Sequence, residues 1–314
     1  MPAGERLRVR VARKTSAADG VAAFDLESID GSGLPAWTPG AHIEVSTGIG
    51  VPRQYSLCGA VAAGFYRIAV LRVADGRGGS AWMHDQLVVG DALDIRPPRN
   101  NFELKPASEY LFVAGGIGIT PILPMVRAAE DSRVPWRLVY GGRTIGSMAF
   151  THELRSLAGA VNLVPQDVAG VLDLDAVLGP EVPGRRVYCC GPEPLIEAME
   201  LRFSGRGGEY LHLERFQSEQ VSREGDRPFE VEIGSTGERI AVAPGISIID
   251  ALADAGVEVE FSCREGTCGT CETGVLAGVP DHRDAVLSAD ERAANDCMML
   301  CVGRCVEGPL VLDL

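Results

Sequence analysis

The sequence predicts a multidomain protein with three successive architectures: an antiparallel β-barrel, a parallel α/β sheet and a small cysteine-bearing α+β module. Three observations predict it. Residues 1–105 read as short alternating strands (Leu7–Val11, Val21–Leu26, His42–Ser46, Tyr66–Val70, Ala92–Ile95) broken by turns such as Gly31-Ser32-Gly33 and Thr38-Pro39-Gly40, the pattern of a small barrel. From Glu109 the rhythm changes to apolar strands (Tyr110–Ala114, Arg137–Tyr140, Arg186–Cys189) followed by helices starting near Pro121, Thr151 and Pro192, which implies a parallel sheet with crossover helices. After a polar stretch, Phe229–Ile233 and Arg239–Val242 form a hairpin pattern around Ser235-Thr236-Gly237, a helix fits Ser247–Ala255, and a cysteine cluster follows.

The expected boundaries are therefore 1–105, 106–216, a linker at 217–228, and 229–314. With 314 residues, 46% hydrophobic and 23% charged, the chain has ordinary globular composition and room for two or three domains. The longest apolar stretch, Tyr110 to Val126, carries three glycines and two prolines and reads as strand–turn–helix, not a membrane span. No basic stretch followed by an apolar core opens the sequence, so a cytoplasmic location is expected. Nine cysteines in that setting point to metal ligation before disulfides. The net charge of −14 is uneven: residues 229–314 hold sixteen Asp and Glu against five Arg and no Lys. Such a surface excludes nucleic acid and suits a basic patch on a protein partner.

Cys263, Cys268, Cys271 and Cys301 are spaced C-x4-C-x2-C-x29-C. That is the spacing of plant-type [2Fe–2S] ferredoxins, in which one loop supplies three thiolates and a distant strand the fourth. Glycines among Arg264-Glu265-Gly266-Thr267 and Gly269-Thr270 let backbone N–H groups turn toward the sulfurs. A structural zinc site is the competing reading, but zinc sites favour two tight pairs. Cys297 and Cys305 are alternative fourth ligands; the long gap favours Cys301. Cys58, Cys189, Cys297 and Cys305 read as small buried hydrophobes, and His282 as part of a hydrogen-bonded turn.

In the first module Gly76-Arg77-Gly78-Gly79-Ser80 opens a helix, where free N–H groups favour a phosphate, and Arg53-Gln54-Tyr55-Ser56 sits beside a strand. In the second, Gly115-Gly116-Ile117-Gly118-Ile119-Thr120-Pro121 follows an apolar strand. It departs from G-x-G-x-x-G in having Pro121 in place of the third glycine; proline suits a first helical position, and the turn can still approach a dinucleotide. Cys189-Cys190-Gly191-Pro192 repeats the strand–Gly–Pro–helix layout, so two loops define one crevice.

Taken in order, RQYS, GRGGS, GGIGITP, YCCGPEPL, CREGTCGTCETGVL and the ending LVLDL resemble the phthalate dioxygenase reductase family over essentially the whole chain. The resemblance implies a ferredoxin-NADP reductase-like flavin barrel and nucleotide domain fused to a β-grasp ferredoxin domain. It implies that Arg53, Gly78, Gly79 and Ser80 hold the phosphate of FMN, that Tyr55 packs on the isoalloxazine, and that Ser56 hydrogen-bonds near its reactive nitrogen. Thr120 and Cys190 would flank the meeting point of nicotinamide and flavin, with Gly115, Gly116, Gly118, Gly191 and Pro192 shaping the dinucleotide loops. Phe216 matches the aromatic covering the other flavin face, with a core phenylalanine as its alternative. Arg143, after the strand ending at Tyr140, lies where an adenosine ribose is expected; the family favours NADH.

The implied activity is transfer of electrons from NADH through FMN and the [2Fe–2S] cluster to a terminal Rieske-type oxygenase docking at the acidic third module, the chain acting as a monomer. A haem monooxygenase as acceptor is the near alternative. A non-catalytic iron–sulfur redox sensor is the alternative from another class, and the flavin and nicotinamide motifs argue against it.

Overall fold

The computed structural model describes residues 6–50, 52–74, 76, 78–157, 159–216, 225–287 and 289–314. Two compact units divide the chain, Met1–Glu214 and Arg215–Leu314. Of the expected linker, residues 217–224 lie outside the described residues, as does Arg77 of the GRGGS turn.

The first unit begins with strands β1 (Leu7–Ala18), β2 (Val21–Ser28), β3 (His42–Val45), β4 (Arg53–Ser56) and β5 (Tyr66–Leu71), then helix α1 (Gly79–Asp85) and strand β6 (Ala92–Ile95). They form an antiparallel sheet in the order β4-β3-β6-β1-β2-β5. Its ends meet: Leu57 bridges Ile68, and the Cys58 N–H donates to the Arg67 carbonyl at 2.8 Å. The sheet is thereby a closed barrel, with Phe24, Ile43, Leu57 and Ile68 fully buried inside. The RQYS segment is not beside a strand but is one, paired with β3 so that Tyr55 faces Ile43 and Ser56 faces His42. Helix α1 packs beside the barrel, and Lys14 holds its far end by donating to the His84 and Leu87 carbonyls at 2.6 and 2.7 Å. A cation there also suits the negative end of the helix.

The same unit continues with β7 (Glu109–Gly115), α2 (Ile119–Asp131), β8 (Trp136–Gly142), α3 (Thr151–Leu154), β9 (Ala160–Pro165), α4 (Gln166–Ala169), α5 (Leu174–Leu178), β10 (Arg185–Cys190), α6 (Glu193–Phe203) and β11 (Tyr210–Glu214). The five strands are all parallel, in the order β11-β10-β7-β8-β9. β7 is buried along Tyr110–Gly115 because helices cover both faces of a parallel sheet, which is why it reads as a continuous apolar run. Helix α2 begins at Ile119, directly after a single 3₁₀ turn at Gly116–Gly118, so Pro121 sits within its first turn and not at its first position. No bond is lost there, since the first-turn N–H groups have no helical acceptor. Barrel and parallel sheet share one core: Val21, Ala23, Cys58 and Ala69 pack in a cluster with Phe112, Ile119, Ile122 and Tyr188. That shared core explains why the first two expected domains form one unit.

The second unit contains β12 (Phe229–Ile233), β13 (Arg239–Val242), α7 (Ile248–Asp254), β14 (Glu272–Asp281), α8 (Ala289–Ala294), β15 (Cys297–Met299) and β16 (Arg304–Leu312). The mixed sheet runs β13-β12-β16-β14-β15, with β12 and β16 parallel at its centre, a β-grasp arrangement over one main helix. Ser247 caps α7, its hydroxyl accepting from the Asp250 N–H at 3.1 Å and donating to Asp250 Oδ2 at 2.6 Å. Met298 and Met299 lie in the core with Ile248, Leu252 and Leu310. Arg304, itself buried, donates to the carbonyls of Arg227 and Ile246 at 2.8 Å each and fastens the start of the unit to its sheet. No helix among the described residues is long and apolar enough to cross a membrane.

Candidate functional site

In the first unit, strand alternation puts Arg53 and Tyr55 on one face of β4 and Ser56 on the other. The guanidinium of Arg53 runs along the start of α1: a methyl group on Gly79 would lie 3.0 Å from its Nε and 3.1 Å from its Cγ. Any larger residue there would push the arginine side chain back by a few tenths of an ångström. Gly78 precedes the helix with φ of 85°, the left-handed conformation that turns the following N–H groups outward. Ser80 accepts the Val73 N–H at 3.1 Å and pins the preceding loop. The cradle of Arg53 and the Gly78–Gly79–Ser80 backbone has the donors a terminal phosphate needs. Burial pushes the Tyr55 hydroxyl up to about 12, with nearby Arg53 pulling the other way.

The two carboxyl-end loops of β7 and β10 are in direct contact. A methyl on Gly115 would lie 2.7 Å from Pro192 Cδ and 2.9 Å from Leu195 Cδ2; one on Gly191 would meet Gly115 Cα at 3.0 Å; one on Gly118 would collide with the Cys190 carbonyl. Three glycines expected to open the backbone to a dinucleotide instead close-pack one loop on the other. Gly116 alone of this set, with φ of 54°, faces open space. Its carbonyl accepts the Tyr140 hydroxyl at 3.0 Å. Thr120 is buried and donates its hydroxyl to the Ile117 carbonyl at 2.9 Å, which fixes the turn into α2. Arg143 is exposed just past β8, its carbonyl accepting the Asp167 N–H at 3.1 Å.

At the end of β11 a residue absent from the expectations joins the site. Glu214 is hydrogen-bonded to Ser56, and Cys190 Sγ points at its Oε2 from 4.0 Å. Burial pushes the Glu214 carboxyl up to about 8, the Ser56 bond opposing it, so the group carries a proton at neutral pH. Burial, then Glu214, raises the Cys190 thiol well above its usual range, so it stays neutral. A barrel strand and two strands of the parallel sheet thus bring one hydroxyl, one thiol and one protonated carboxyl together.

In the second unit the four thiols converge. Cys263 shares hydrogen bonds with Cys268 and Cys301, and Cys301 with Cys271. Those bonds lower the Cys263 thiol and, from Cys301, the Cys271 thiol, while they and burial raise Cys268 and Cys301. Cys297 and Cys305 stand apart: burial followed by Glu272 and Asp296 raises Cys297 to about 11, and burial followed by Glu307 raises Cys305. Both are half-buried, unlike the fully buried Cys58 and Cys189, so the reading of all four as buried hydrophobes holds only for those two. Backbone N–H groups do aim at sulfur: Glu265 donates to Cys263 Sγ at 3.3 Å and Thr270 to Cys268 Sγ at 3.4 Å. Each donor follows a left-handed residue, Gly269 with φ of 73° and Arg264 with φ of 57°. Left-handed backbone costs an arginine about 1–2 kcal/mol. Arg264 stacks on Phe261 at 4.3 Å and pairs with Asp250 at 2.6 Å. An exposed stack of this kind contributes about 0.5–1 kcal/mol and an exposed ion pair about 0.2–1 kcal/mol, which together match the cost. Gly266 closes the loop, its carbonyl accepting the Ala285 N–H at 2.8 Å. His282 shares a hydrogen bond with the Asn295 side chain at 3.1 Å, thirteen residues further along the chain.

A family model described as a 2Fe-2S iron-sulfur cluster binding domain matches residues 231–306. Phenoxybenzoate dioxygenase subunit beta of Ectopseudomonas oleovorans is 42% identical over 301 residues, 95% of this chain and 94% of that protein. Among solved structures, phthalate dioxygenase reductase, described as modular for electron transfer from pyridine nucleotides to [2Fe–2S], is 35% identical with a TM-score of 0.71, and 98% of each chain is covered. The chain belongs to the phthalate dioxygenase reductase family. A type IV self-sufficient cytochrome P450 monooxygenase is 38% identical with a TM-score of 0.92; the match covers 98% of this chain and 41% of that one. Membership in the phthalate dioxygenase reductase family covers both units, so flavin, nicotinamide and cluster motifs are all present in order. One expected contact falls elsewhere in the chain's division: Phe216 stands at the beginning of the second unit and is 39% exposed, which sets aside its reading as a core residue.

Proposed function

We propose that this chain is the reductase component of a multicomponent oxygenase, passing electrons from NADH through FMN and a [2Fe–2S] cluster to a terminal Rieske-type oxygenase that acts on an aromatic or similar small molecule. The observation that carries this reading is that one chain holds both the Ser56–Cys190–Glu214 constellation beside a phosphate cradle and a separate cage of four thiols. A bound flavin supplies the conversion of a two-electron hydride into single electrons, which is the one step a nicotinamide and an iron–sulfur cluster cannot share directly.

The residues do the positioning. Arg53, Gly78, Gly79 and Ser80 hold the FMN phosphate, and Tyr55 lies against the isoalloxazine. Gly116, Thr120, Cys190 and Pro192 seat the nicotinamide dinucleotide on two loops that Gly115, Gly118 and Gly191 let pack together, with Arg143 toward its adenosine end. Ser56 holds a hydrogen bond at the flavin's reactive edge, and Glu214 keeps a proton on Ser56's other side. Neutral Cys190 leaves the nicotinamide pocket uncharged. Cys263, Cys268, Cys271 and Cys301 ligate the cluster. The acidic second unit receives the oxygenase through a complementary basic patch.

The P450 match supports a second reading in which the acceptor is a haem monooxygenase. The sensor reading falls with membership in a family of oxygenase reductases. Purified protein is expected to contain one FMN and one [2Fe–2S] cluster and to oxidise NADH steadily with an artificial acceptor. Release of FAD, or zinc without acid-labile sulfide, overturns the cofactor assignment. Reduction of a haem partner with no reduction of a Rieske partner moves the conclusion to the second reading.

A further inference from the structure

We propose that Arg264 is a positioning residue for the iron–sulfur cluster: held between Phe261 and Asp250, its side chain locks the left-handed turn that aims the Glu265 N–H at Cys263 Sγ and so raises the cluster's reduction potential. The inference rests on the reading that the four cysteines hold a [2Fe–2S] cluster.

The loop makes the same donor turn twice. At Cys268 the left-handed residue is Gly269, and the Thr270 N–H that follows reaches the sulfur at 3.4 Å. At Cys263 the left-handed residue is Arg264, and the Glu265 N–H reaches the sulfur at 3.3 Å. Glycine adopts this conformation without side-chain contacts; arginine does not. Among the described residues the other side-chain-bearing residues with positive φ are Arg133, Phe150 and Asn295, none of them next to a cage cysteine. Arg264 is anchored on two sides, by the Phe261 ring at 4.3 Å and by Asp250 Oδ1 at 2.6 Å. Asp250 is itself fixed, since Ser247 at the start of α7 donates to its other oxygen at 2.6 Å. The turn at Cys263 is thus tied to a helix of the domain, whereas the left-handed residue at Cys268 is a glycine, with no side chain to anchor. Reduction adds negative charge that spreads onto the sulfurs, so an N–H directed at sulfur favours the reduced state.

Redox titration of the holoprotein, followed by the electron paramagnetic resonance signal of the reduced cluster, tests this with Arg264→Gly, Arg264→Ala and Asp250→Ala. Glycine and alanine remove the same charge and differ in their tolerance of the left-handed turn. The alanine variant is expected to be at least threefold harder to reduce than the glycine variant, about 30 mV at ~59 mV per decade for one electron. Asp250→Ala is expected to lower the potential, although loss of a negative charge by itself raises it. Equal potentials in the glycine and alanine variants, or a raised potential in Asp250→Ala, overturn the proposal. Cluster assembly in the glycine variant and failure in the alanine variant supports it by the same logic. If neither Arg264 variant assembles a cluster, the sign of the Asp250→Ala shift decides. Wild-type protein lacking iron and acid-labile sulfide overturns the underlying reading separately.

Discussion

Glycines fill both the crevice of the first unit and the cysteine loop of the second, for different physical reasons. Gly115, Gly118 and Gly191 lack positive φ and are glycine because a neighbour's backbone or side chain occupies the place of a Cβ. Gly269 is glycine because of its handedness, and Gly266 meets both demands, with φ of 67° and Asp284 Cα 3.0 Å from where a methyl would sit. One site is therefore defined by contact between two loops, the other by the path of a single loop. The first places polar side chains from distant strands against one another; the second places backbone donors around sulfur.

The largest effect expected from this contrast is on cofactor retention. Cys301→Ser should remove essentially all visible absorbance and paramagnetic signal of the cluster while leaving flavin in the first unit, and Cys297→Ser should retain both. Loss of the cluster from the Cys297 variant with retention in the Cys301 variant would reverse the ligand assignment. Next comes the crevice. Gly118→Ala drives a methyl into the Cys190 carbonyl and is expected to destabilise the first unit by roughly 2–3 kcal/mol, as overpacking does. Gly116→Ala meets open space and should cost only its left-handed strain, about 1 kcal/mol. Denaturant titrations that rank Gly116→Ala as the worse variant would mean that handedness governs this site too.

The remaining effect is spread over a range of pH instead of falling on one substitution. The Glu214 carboxyl rises to about 8 from an ordinary 4.5, so the stability it contributes is complete below 4.5 and is lost as pH rises through 8. On the same strand His212, stacked on Tyr188, falls to about 4 from 6.5 through burial and then the charges of Arg186 and Lys105; its contribution is complete above 6.5 and is lost as pH falls through 4. Between 4.5 and 6.5 the two oppose each other, and from 6.5 to 8 Glu214 acts alone. Stability of the first unit should decline there by up to ~1.4 kcal/mol per pH unit. Glu214→Gln should flatten that decline and leave the acid-side loss from His212 exposed. An unchanged decline in the variant would show that Glu214 is not the group titrating.

The architecture of all three modules was readable from strand and helix rhythm, and the four cysteines from spacing alone. What stayed hidden has identifiable causes. β4 is four residues of mixed polarity, Arg53 to Ser56, too short for alternation to stand out. β9 ends on Pro165, and β11 opens on an exposed Tyr210 and is half-buried from there to its end, so neither shows the apolar run of β7. Glu214 at a strand end reads as a solvated charge; only its contact with Ser56, far upstream, exposes its role. The loop glycines were visible, but the reason for them was not, because contact between the β7 and β10 loops depends on strand order in the sheet.

The core shared by the barrel and the parallel sheet limits how such a chain can be recombined. Cutting between β6 and β7 would strip Val21, Ala23, Cys58 and Ala69 of the partners they have on Phe112, Ile119 and Ile122, leaving two apolar faces in water. A cut after Glu214 leaves intact the second unit's own cluster around Ile248, Leu252 and Leu310. Gene fusion and module exchange therefore have one natural joint inside this chain, at 214–215, and flavin barrel and nucleotide sheet must be inherited together.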